Sequence, residues 1–157
     1  MQKITPFLWF DTQAEEAMNF YVSIFKDSKV VSISRYPEGS PAPAGTVMTT
    51  KFELEGQEFV ALNGGPTFKF TEAISLVVNC TSQEEVDYFW EKLSEGGQEV
   101  ECGWLKDKYG LSWQITPTIL IDLMSSNDPK QNERVMQAMM KMVKIDIETI
   151  KRAAAGE

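Results

Sequence analysis

The chain has 157 residues, enough for one compact fold that buries roughly 70% of its unfolded surface, and its 43% hydrophobic content excludes a disordered tail. Fifteen Lys and Arg stand against 23 Asp and Glu, a formal charge of −8 that disfavours nucleic acid as a partner. There is no histidine, which removes the commonest general base, the commonest transition-metal ligand and every Ser-His or Cys-His nucleophile.

The opening MQKITPFLWF carries one Lys before an apolar run too short for the middle of a signal peptide, and it has no small-residue cleavage site. No stretch approaches the ~20 apolar residues that span a bilayer. The expectation is a soluble cytoplasmic protein with no membrane partner. Cys80 and Cys102 lack the close spacing of a structural zinc site and read as two buried thiols in a reducing compartment. A reactive Cys102 is the competing reading.

In chain order, ITPFLWF (4–10) is a short apolar run rich in β-formers and reads as a strand. Asp11 and Thr12 are N-cap candidates for a helix whose stripe is Ala17, Phe20, Tyr21, Ile24 and Phe25. Strands are expected at 29–37, 46–56 and 58–65, with a Pro-rich loop at 38–45 and a turn at Glu55-Gly56-Gln57. Asn63-Gly64-Gly65 is either a turn or a place where a ligand approaches the backbone. The pattern then restarts. FLWFDTQAEEAMNFYVSIF (7–25) lies over LVVNCTSQEEVDYFWEKLS (76–94) at a constant offset, since 89 − 20 and 84 − 15 both give 69. AISLVVN (73–79) is thus a strand, Thr81-Ser82 the cap region, and Val86, Phe89, Trp90 and Leu93 the second helical stripe, ended by Gly96-Gly97.

Strands at 100–107 and 111–117 flank Lys108-Tyr109-Gly110. The polar Gln114 sits between Trp113 and Ile115 in the last of them. TILIDLM (118–124) either extends that strand or begins a helix. Asp128 caps a helix with Pro129 at its first position, and Asp146 is placed to restart a second one. Val135, Met136, Met139, Met140, Val143, Ile147 and Ile150 recur at helical spacing, a stripe that reads as packing within the chain or against a second subunit. The fold class is α+β: βαβββ modules at 1–65 and 66–125 and a helical extension at 126–157, within one structural domain.

PFLWFDTQAEEAMNFYVSIF, FVALNGGPTFKF, CGWLKDKYGLSWQITP and the Lys-Ile-Asp-Ile run at 144–147 resemble the PhnB-like group, also labelled demethylubiquinone methyltransferase-like. That group lies within the vicinal oxygen chelate, or glyoxalase/bleomycin resistance, superfamily. The resemblance implies that each module curls into half of a cup whose concave face holds the ligand. It also implies four inner positions that often bind a divalent metal through His, Glu or Gln, and Gln114 falls on one of them. The other three offer neither imidazole nor carboxylate, so neither metal nor other cofactor is expected.

The residues expected to line the cup are Phe7, Trp9, Leu62, Asn63, Ser75, Trp104, Trp113 and Gln114. The primary reading is a homodimeric protein that binds a small organic molecule without a transition metal. One competing reading is a superfamily enzyme of lyase, isomerase or dioxygenase type, using oxygen ligands or no metal. Another is the S-adenosylmethionine-dependent methyltransferase that the label names. Against it, neither first helix begins with the glycines that a nucleotide-type donor usually needs.

Overall fold

The computed structural model describes residues 2–157, which divide into two compact units, one ending at Phe70 and the other Thr71–Glu157. In the first, β1 (Phe7–Phe10) leads through α1 (Ala14–Ile24) to β2 (Lys29–Arg35), β3 (Val47–Leu54) and β4 (Gln57–Asn63). The sheet order is β1-β4-β3-β2, with β1 parallel to β4 and the remaining pairs antiparallel. Parallel neighbours cannot be joined by a tight turn, and α1 with two strands makes the crossover. Side chains alternate: Leu8, Phe10, Phe52, Leu54, Phe59 and Ala61 are buried, a period of two that puts one sheet face against α1. From the helix come Ala14, Ala17, Met18, Tyr21 and Ile24. Tyr21 stacks on Phe52 at 6.3 Å and Phe52 on Phe59 at 5.7 Å. Each such ring contributes about 2 kcal/mol by burial.

The second unit repeats the topology. β5 (Ser75–Cys80) leads through α2 (Gln83–Ser94) to β6 (Gln98–Glu99), β7 (Trp104–Lys106) and β8 (Ser112–Pro117), in the order β5-β8-β7-β6 with β5 parallel to β8. The strand expected at 100–107 is shorter. It breaks at Cys102 and Gly103, whose φ angles of 60° and 83° turn the chain before β7. An added Cβ at Gly103 would lie 3.0 Å from Ile145.

The helices keep the 69-residue offset, with Ala17, Tyr21 and Ile24 buried like Val86, Trp90 and Leu93. The strands do not. Three residues (Asp11, Thr12, Gln13) join β1 to α1, and only two (Thr81, Ser82) join β5 to α2. Buried Phe10 therefore corresponds to buried Cys80, an offset of 70. A shift of one residue exchanges the faces of a strand, so the partners of Phe7 and Trp9 are Val77 and Asn79, not Leu76 and Val78.

The caps differ as well. Ser82, one of the two cap candidates, accepts from the Glu85 N–H, and the Glu85 carboxylate accepts in return from the Thr81 N–H. The α1 cap is Gln13, without a side-chain bond, rather than Asp11 or Thr12. Asn63, from the end of β4, takes over instead. Its Oδ1 accepts from the Ala14 N–H at 2.8 Å and its Nδ2 donates to the Val47 carbonyl.

Asp107 organises the turn between β7 and β8. Only 2% exposed, its Oδ1 accepts from the Tyr109 and Leu111 N–H groups and its Oδ2 from the Trp113 indole at 2.9 Å. A buried carboxylate is tolerable only with partners of this kind.

The chain from Pro117 continues as helix, not strand: α3 (Thr118–Met124), α4 (Pro129–Met140) and α5 (Ile147–Ala155). Asp128 and Asp146 are the N-caps, as read. Leu120, Val135, Ile145 and Ile150 form a small core of their own, with Met124, Met139 and Met142 packed against it. This layer is tied to the βαβββ frame at a few points. Gln83 donates to the Ile145 carbonyl and accepts from the Ile147 N–H, Lys144 pairs with Asp87 at 2.8 Å, and the Cys102 and Gly103 N–H groups donate to the Met142 and Val143 carbonyls. Lys144 and Gln83 hold the Asp87 carboxyl below the usual range. Among the described residues no helix is long and apolar enough to cross a membrane.

Two expectations follow. Asp107→Asn retains one carbonyl oxygen but turns an amide N–H toward the Trp113 N–H, so urea denaturation is expected to register a loss of about 2 kcal/mol. An unchanged midpoint would remove Asp107 from this role. Burial pushes the Cys80 thiol from its ordinary value of 9.0 up to about 12. The unfolded thiol ionises first, so stability is complete below about pH 9 and falls as pH rises toward the folded value, by at most ~1.4 kcal/mol per unit. Wild type should therefore lose stability faster than Cys80→Ala across that window, and parallel curves would contradict the assignment.

Candidate functional site

In the first unit, the sheet face away from α1 carries Phe7 and Trp9 beside Val60 and Leu62, by direct register. Phe7 is 59% exposed. Trp9 is held: its indole N–H donates to the Gly65 carbonyl at 2.9 Å, and Phe68 meets its ring edge-on at 4.9 Å. A Cβ on Gly64 would lie 2.4 Å from that ring. The glycine is thereby explained as the seat of Trp9, and the Asn63-Gly64-Gly65 turn serves packing. Phe7, Trp9 and Leu62 share this face; Asn63 does not. It follows Ala61 by two residues, points to the helix side, and has both ends of its amide engaged there.

In the second unit, register places Ser75, Val77 and Asn79 of β5 on one face with Ser112, Gln114 and Thr116 of β8, and with Trp104 and Lys106 of β7. The Gln114 Nε2 donates to the Ser75 Oγ at 2.9 Å. Two of the eight expected positions, 39 residues apart in sequence, thus touch, and Trp104 stands directly across the ladder from Gln114. Lys106 pairs with Glu72, whose carboxyl it holds below the usual range. Trp113 belongs elsewhere. It is 3% exposed on the α2 side with Leu76 and Ile115, its indole spent on Asp107. Adjacent residues of a strand face opposite ways, so Trp113 and Gln114 cannot serve one surface.

Trp9, Trp90 and Trp113 donate their indole N–H to Gly65, Glu99 and Asp107. Trp104 alone among the described tryptophans makes no such bond, and the Gln114 Oε1 beside it has no partner among the described residues either. The Ser112 hydroxyl, 1% exposed, is also without a partner among them. The face thus presents an unspent donor and an unspent acceptor next to an aromatic surface, a combination that orients an organic molecule by hydrogen bonds and contact. Sequence reasoning missed Ser112 and Lys106, although the spacing of two from Gln114 and from Trp104 carried that information.

The metal that the sequence resemblance implies does not fit these residues. Among the described residues no three His, Cys, Asp or Glu side chains converge on a point. One amide oxygen with neighbouring hydroxyls is a poor competitor against water for a transition ion.

The sequence profile of the 3-demethylubiquinone-9 3-methyltransferase family matches residues 2–116. The PhnB protein of Bacillus cereus, whose description carries the same methyltransferase name, is 47% identical with a TM-score of 0.68, over 74% of this chain and 99% of its own. Protein PA1353 from Pseudomonas aeruginosa is 20% identical with a TM-score of 0.62, over 74% and 98%. The Arabidopsis thaliana gene product AT5G48480 is 17% identical with a TM-score of 0.50, over 72% and 96%. The last two share the fold. No curated protein matches the chain. The duplicated βαβββ topology and the match through residue 116 agree, and the chain belongs to the 3-demethylubiquinone-9 3-methyltransferase, or PhnB-like, family.

Proposed function

We propose that the chain is a binding protein for a small, partly apolar organic molecule, held on the β5-β8-β7 face without a transition metal. The observation that carries this reading is the adjacency of Trp104 and Gln114, the one with an unspent indole N–H and the other with an unspent amide oxygen. Asp107 and Asn63 spend both ends of their polar groups on partners, whereas the buried Thr50 hydroxyl of the first unit makes no hydrogen bond among the described residues. Unpaired groups grouped on one helix-free face match what a ligand would complete. Ser75 fixes the amide plane of Gln114, so its acceptor is preoriented.

No carboxylate pair marks a general acid and base on this face, and the Lys106 ammonium is occupied by Glu72. The reading is therefore binding rather than turnover. The methyltransferase name of the family is the second reading, favoured by the profile match alone.

A metabolite library screened by thermal shift against native protein supplies the test. Ligands that raise the midpoint should lose about tenfold in affinity in Trp104→Phe and in Gln114→Leu, with the unliganded midpoint kept close to wild type. Hits indifferent to both substitutions would place binding elsewhere and sink the assignment. Elemental analysis of the same protein should find no stoichiometric transition metal. Calorimetry with S-adenosylmethionine should give no heat of binding; a micromolar isotherm would favour the methyltransferase.

A further inference from the structure

A cleft lies wholly within the first unit and shares no residue with the face just discussed. It is open, of about 870 Å³, and lies between the start of α1, the β2–β3 loop and the turn after β4. Its floor is rigid and its polar groups are spent. Asn63 is bonded to Ala14 and Val47, and the Tyr36 hydroxyl donates to the Asn63 carbonyl. Its far wall, the Pro-rich loop, is preformed. Ser40 donates to the Pro37 and Ala42 carbonyls, Thr46 to the Pro43 carbonyl, and the Tyr36 N–H to the Thr46 carbonyl. Pro41 and Pro43 fix their own φ angles and add apolar surface.

The charges around this cleft are of both signs and largely unspent. The Arg35 guanidinium makes one bond, to the Gly45 carbonyl, which leaves four of its five N–H donors available. The Asp11 and Glu15 side chains make no hydrogen bond or ion pair with any described residue, although both line the same cleft. Arg35 and the two carboxylates line one cleft, so a molecule that carries both a carboxylate and an ammonium can engage both signs of charge.

We infer that this cleft binds a small zwitterion of amino-acid type, its carboxylate on Arg35, its ammonium at Asp11 and Glu15, and its carbon body against Pro41 and Pro43. The site shares no residue with the Trp104–Gln114 face, and either proposal can fail without the other.

The probe is a set of free amino acids added to isotope-labelled native protein and followed by backbone amide NMR. The expected result is saturable shifts confined to residues 11–15, 35–47 and 63–65. Arg35→Gln should weaken binding about tenfold or more, and so should the double variant Asp11→Asn, Glu15→Gln. The corresponding deaminated acids and decarboxylated amines should bind at least about tenfold more weakly than the zwitterion. These side chains are mostly solvent-facing, and matched thermal midpoints will show that the variants fold. Absence of saturable shifts at millimolar probe overturns the inference. So does unchanged affinity in Arg35→Gln, or equal binding of the amine alone.

Discussion

The pairing of the first strand of each unit with its last governs everything else. β1 lies parallel to β4 and β5 to β8, so the helix between them must cross over the sheet and cover one face. The other face is left without helices. It draws residues from the two ends of each module and makes neighbours of Ser75 and Gln114. Core and candidate site are thus the two sides of one ladder, separated by the parity of each strand.

That parity explains what the sequence revealed and what it hid. The duplicated module, the helices and the Ser82, Asp128 and Asp146 caps follow from periodicity and from side chains that bond locally. Gln114 stood out because a lone amide in an apolar strand is costly unless it has a partner, and Ser75 supplies one. Trp113 was misjudged because aromatic character was weighed above alternation, and the indole carried its own buried acceptor at Asp107. Asn63 was misjudged for a similar reason: its partner, Ala14, is 49 residues away. Long-range capping leaves no local signature.

The ungapped repeat was a subtler trap. It aligns the two helices residue for residue, yet the connection before α1 has one residue more than the connection before α2. A helix absorbs that difference as a small rotation, whereas a strand inverts. The open face of the second unit, with Val77 and Asn79 where the first has Phe7 and Trp9, owes its parity to this single position.

The matched family profile ends at residue 116, just before α3 begins. The forty or so residues beyond it contain their own apolar centre and grip the βαβββ frame through a handful of backbone and amide bonds near the start of α2 and the bend ahead of β7. The extension is thus held by its own centre, and loosening that centre would leave every rung of the sheet in place.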